Sequence, residues 1–125
     1  MTPAEGAPAP GPIALGELPW HQPAGHHESF SRYVVGLEDS GASIDVRWSR
    51  CAPGGSVDSH AHEAAEHVYV FLSGSGSVTA DRHTYEVTGE MALYVPPSTE
   101  HSLRATGPAD LVFLVVTSPS GALPR

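Results

Sequence analysis

From Phe30 onward, apolar and polar positions alternate in short stretches separated by turn residues. Such alternation marks half-buried strands, because successive side chains leave a strand on opposite faces. Residues 31–37 are rich in β-formers and run into the polar segment 38–41. Residues 43–49 set Ile44, Val46 and Trp48 on one face and Asp45 and Arg47 on the other. The pattern predicts a turn over 52–55 and a strand over 67–72 that ends at 73–76. Segments 78–80 and 84–87 read as a hairpin around Asp81-Arg82-His83, and 91–95 stops at Pro96-Pro97. Segments 101–103 and 111–117 complete the set, and no stretch carries ten residues of helical periodicity. Short strands at this spacing predict an all-β protein, a β-sandwich or barrel.

Upstream, the pattern is absent. Residues 1–12 hold four prolines without periodicity, as a flexible tail would. Residues 13–29, with Trp20 and the run Gly25-His26-His27-Glu28, read as an arm lying on the domain or on a neighbouring subunit. The expected organisation is tail and arm over 1–29, one domain over 30–119 and a short tail over 120–125. A chain of 125 residues has room for one core, and 13 glycines with 12 prolines fit many turns and few helices. No run approaches the roughly 20 apolar residues that span a bilayer. The first residues lack the charged and apolar regions of a signal peptide, so a cytoplasmic protein without a membrane partner is expected. Six basic against 14 acidic residues give a net charge of −8, the wrong sign for nucleic acid. Cys51 is the single cysteine, which excludes an internal disulfide and reads as a small buried apolar residue.

Histidine changes the picture. His60 and His62 stand two apart, so on a strand they project side by side. His67 heads the next strand, where a hairpin-like return brings it opposite the first two. His101 follows Pro96-Pro97-Ser98-Thr99-Glu100, a tight turn able to aim one more imidazole inward. Neutral imidazoles suit a divalent transition metal, one ion of Fe, Mn, Ni, Cu or Zn. His83 reads as a hairpin-tip residue, His26 and His27 as solvated, and Glu100 as exposed.

The segment Gly54-x5-His60-x-His62-x4-His67-x6-Gly74 resembles the first motif of the cupin superfamily, G-x5-H-x-H-x(3,4)-E-x6-G. The segment from Gly89 through Pro96 and Ser98 to His101 resembles the second, G-x5-P-x-G-x2-H-x3-N, and together the likeness spans residues 34–117. It implies a double-stranded β-helix, the RmlC-like jelly-roll β-sandwich of the cupin barrel. Three positions depart from the pattern: His67 replaces the glutamate ligand, Ser98 a glycine and Ala105 an asparagine. The interval from Gly89 to Pro96 is also one residue longer than usual.

The resemblance implies a metal held by His60, His62, His101 and a fourth group. Counting back from Gly74 makes that group His67; counting forward from His62 allows Glu66 as the alternative. Adjacent strand residues face opposite sides, so one of the two points inward. With His67 inward, Tyr69 and Phe71 face the same cavity, joined by Leu93 or Tyr94 and by Trp48 as a substrate pocket. Four neutral imidazoles would leave a site charge of about +2, which favours anionic ligands and acidifies a bound enol or water. The expected function is a metal-dependent enzyme acting on a small organic substrate, first a non-haem metal oxygenase or dioxygenase. The alternatives are a non-redox cyclase, isomerase or lyase, and a small-molecule-binding or sensor cupin without catalysis. No separate protein base is evident, so the catalytic residues stay unassigned. Small cupins often pair, and an open sandwich has sheet edges to protect, so a homodimer is expected.

Overall fold

The computed structural model describes residues 9–123. The tail predicted over 1–12 falls, in residues 1–8, outside the described range, as do residues 124–125. Eight strands follow in order: β1 (His26–Val35), β2 (Asp45–His60), β3 (Glu66–Ser73), β4 (Ser75–Ala80), β5 (His83–Thr88), β6 (Met91–Val95), β7 (His101–Ala105) and β8 (Leu111–Ser118). The polar segment 38–41 forms a single helical turn, α1 (Leu37–Ser40), closed by Gly41 in the left-handed conformation at φ 67°. Among the described residues no helix is long and apolar enough to cross a membrane.

The strands run β5-β4-β7-β2-β8-β3-β6, with β1 on the free side of β2, and every pairing is antiparallel. The sheet curls on itself into the expected jelly roll. Its corner lies in β2, which pairs with β8 over Asp45 to Cys51 and with β7 over Ser56 to His60. The turn predicted over 52–55 is therefore this corner inside one long strand, not a reversal. The backbone can pass there because position 55 is glycine: a Cβ would stand 2.7 Å from the carbonyl oxygen of Glu28 and 2.8 Å from that of His27. The β4–β5 hairpin closes through Asp81 and Arg82, both at positive φ (48° and 68°), which matches the twist of the paired strands.

The register sorts the interior into two levels. At one level Cys51 pairs with Leu111 and Phe71 with Phe113. There Phe71, Leu111, Val78, Val87, Val95 and Cys51 are at most 2% exposed and form the apolar core. Each large side chain so buried contributes about 1.5–3 kcal/mol. At the other level His67 pairs with Thr117 and Arg47 with Val115, and the interior turns polar.

One expectation reverses. On β2 the inward residues are Asp45, Arg47, Ser49 and Cys51, while Val46 and Trp48 are half-buried on the outside and Ile44 is exposed. Alternation defines two faces of a strand but not which one is inside; the register with β1 and β8 decides that. Trp48 is accordingly not a pocket residue. The arm packs on its own domain: the Trp20 ring lies under the guanidinium groups of Arg32 at 4.1 Å and Arg50 at 4.9 Å. These contacts sit on the same outer face as Trp48.

Candidate metal centre

His60 ends β2 and His101 begins β7, and the two are directly paired across the strands. His62 lies just beyond β2, where its carbonyl accepts a hydrogen bond from the Ser98 N–H at 2.9 Å. Ser98 stands where the resembling motif has glycine, and it keeps the left-handed conformation at φ 59°. The turn geometry thus survives the substitution, at a backbone cost of about 1–2 kcal/mol. His67 is the second residue of β3 and faces inward, 3% exposed.

The ring nitrogens of His60, His62 and His101 lie within 4.8 Å of one another. His67 stands outside that mutual set yet adjoins it, its ring centroid 5.0 Å from His62 and 5.4 Å from His101. The rings are oriented from behind. His60 Nδ1–H donates to the Asp58 carbonyl at 2.7 Å, and His101 Nδ1–H donates to the Thr99 carbonyl at 2.8 Å. A carbonyl only accepts, so these bonds fix the proton on Nδ1 and leave the Nε2 lone pair toward the centre. His67 Nδ1 is held by the Thr117 hydroxyl at 2.8 Å. The Nε2 atoms of His67 and His101 are buried without a hydrogen-bond partner. A buried polar atom left unpaired costs about 1–3 kcal/mol, which a metal ion at this point would relieve. The donor chemistry therefore fits a divalent transition metal.

Burial, then the neighbouring imidazoles, push the His62 pKa down to about 4 and that of His67 down to about 3. Burial also lowers His101. At neutral pH these rings are uncharged, so a metal displaces no proton from them.

Glu66 points elsewhere. It is exposed on the outer side of β3, where its carboxylate accepts a hydrogen bond from the Tyr94 hydroxyl at 3.4 Å. Tyr94 is itself 57% exposed and outside the cavity. Of the remaining pocket residues, Tyr69 lines the cavity. Phe71 stacks behind it at 6.0 Å, fully buried in the core, Leu93 packs against that core, and neither of the two borders the cavity. Their strands face inward as expected, but at the apolar level. Glu100 and His83 are exposed, bonded to Ser59 and to the Asp81 carbonyl.

The cavity beside the histidines has a volume of about 350 Å³, within the range of small-molecule sites. Tyr69, Phe113 and Val115 form one wall, and Ser29, Ser31, Ser49 and Arg47 another. His26 borders it too, and burial lowers its pKa, whereas its neighbour His27 is exposed and bonded to Asp58 at 3.0 Å. Sequence reasoning missed His26 and the polar wall. For His26 no local signal existed; for Arg47 the i, i+2 pairing with Asp45 on one strand face was such a signal.

A family model described as a cupin domain matches residues 47–117. Dimethylsulfoniopropionate lyase DddW of Ruegeria pomeroyi is 34% identical over 80 residues, 64% of this chain and 51% of that protein. The chain spans about half, or less, of the length of the curated relatives it matches. Among solved structures, a predicted oxalate decarboxylase from Thermotoga maritima superposes with a TM-score of 0.80 at 20% identity, covering 87% of this chain and 99% of that one. The polyketide cyclase RemF from Streptomyces resistomycificus superposes with a TM-score of 0.76 at 21% identity, covering 94% and 89%. At these identities the likeness to solved structures speaks of the fold.

Proposed function

This chain belongs to the cupin family, and on that footing we propose that it is a metal-dependent enzyme acting on a small, oxygen-bearing organic molecule by non-redox chemistry, a lyase or cyclase. One observation carries the reading: several imidazoles, held from behind by backbone carbonyls and a threonine, converge on a cavity large enough for a substrate. His60, His62 and His101 are the proposed ligands, with His67 as the fourth in place of a carboxylate. A divalent transition metal bound there supplies Lewis acidity to a substrate oxygen. Tyr69, Phe113 and Val115 exclude water from one side, which strengthens charge interactions inside. The likeness in sequence to the lyase DddW favours non-redox chemistry.

An oxygenase is the second reading, favoured by the all-nitrogen ligand set and its charge of about +2. Turnover of small enolisable acids by the metal-loaded chain under strict anaerobiosis separates the two. Product formed without oxygen supports the lyase or cyclase. Turnover that requires stoichiometric oxygen uptake replaces it with the oxygenase, and a chain that retains no metal removes both.

We also propose that a second copy covers the outer sheet face. Trp48, Val68, Val70, Val112, Leu114 and Val116 all lie there half-buried, an apolar face across β2, β8 and β3 that a partner's sheet would cover. Light scattering at twice the mass of one chain is the expected result; a monomer at micromolar concentration would refute it.

A further inference from the structure

A sandwich interior is ordinarily filled with apolar side chains. Here, beside the histidines, β1 and β2 turn Ser29, Ser31, Ser49 and Arg47 inward, each at most 6% exposed. Arg47 Nε donates to Asp45 at 3.0 Å, with both side chains less than a tenth exposed. Such a buried pair is a poor device for stability, since the desolvation of two charges offsets their attraction. Its place in a cavity wall asks for another explanation.

We infer that Arg47, with the serines beside it, forms a carboxylate-binding subsite, so that the substrate is a small, flat carboxylate whose second oxygen reaches the histidine centre. The inference rests on the proposed metal-dependent function and adds the substrate class. A guanidinium presents five N–H donors in a plane, matched to a carboxylate. The Arg47 guanidinium is steadied by Asp45 and by the Tyr33 ring 4.9 Å away. Ser31 and Ser49 share one hydrogen bond at 2.8 Å, and two hydroxyls sharing one bond keep one O–H to give. Arg47 itself borders the cavity beside His60, His62 and His67. Among the described residues of the lining the one side-chain carboxylate, Asp58, is at the exposed rim and bonded to His27. Opposite, Tyr69 and Phe113 offer flat apolar surface to a ring or a conjugated chain.

The test uses two probes that differ only in the group at issue, 2-hydroxybenzoate and 2-hydroxybenzyl alcohol. Calorimetric titration into zinc-loaded and metal-free chain is expected to find the carboxylate bound about tenfold or more tightly in both forms. Arg47→Lys should cut that preference several-fold. The double variant Asp45→Asn/Arg47→Gln, which removes both charges of the pair, should abolish it. Unchanged zinc stoichiometry and thermal unfolding establish that the variants are folded, and Ser49→Ala offers a milder change expected to halve the preference or more. Equal affinity of the two probes for the wild type overturns the inference. A preference kept by the double variant but lost on removing zinc also overturns it, and leaves the metal reading standing. Failure to bind zinc at all removes the metal reading, while the metal-free titrations still decide the role of Arg47.

Discussion

Alanine at His60, His62 or His101 is expected to lower metal affinity on the order of 100-fold or more, and purified variants should carry little metal. Loss of a group that merely supports a ligand typically costs about 10–100-fold, and these three rings would touch the ion directly. Their nitrogens converge within 4.8 Å, and two of the rings are already locked by carbonyls, so little ordering remains to be supplied on binding. His67→Ala is expected to weaken binding roughly 10–100-fold, because its buried Nε2 has no other partner. Glu66→Ala should leave affinity within twofold, as its carboxylate meets Tyr94 on the outside. Metal analysis of the five variants against wild type reads all of this. The reverse pattern, with Glu66→Ala losing metal and His67→Ala keeping it, would return the fourth position to the glutamate.

The metal-free chain is expected to lose stability as pH falls below about 6.5, by a few kcal/mol in all. The sign follows from the buried imidazoles. The unfolded chain takes up a proton on each near pH 6.5, whereas the native pKa is about 3 for His67 and about 4 for His62. Their contribution is full above pH 6.5 and is lost as the pH drops toward the native values. His67 dominates because it is 3% exposed, while His62 is partly solvated. Urea midpoints at pH 7.5 and 5.0 measure the effect, and His67→Gln isolates it from the carboxylates that titrate nearby. A slope equal in wild type and variant would refute the claim. Bound metal should delay the loss to lower pH, since it competes with protons for the same nitrogens.

The histidine positions were legible because their information is local. A two-residue spacing on a strand is a direction in space, and His60 and His62 carry it wherever the strand goes. The turn before His101 and the hairpin at Asp81 and Arg82 are local in the same way. The choice between Glu66 and His67 was half legible: alternation separates the two, and the register with Tyr69 and Phe71 favoured His67 inward. The cavity wall was not legible. Trp48 and Leu93 were expected to line it, yet Trp48 leaves the sheet outward and Leu93 lies at the core level.

By itself, then, the sequence determined most of the strands and the imidazoles, through periodicities and spacings that span a few residues. Tertiary structure alone decided which face of β2 is inside. That choice depends on pairing with β1 and β8, which comes from distant parts of the chain. It turned Asp45 and Arg47 inward against their polarity, and so made a polar-walled cavity where an apolar pocket was expected.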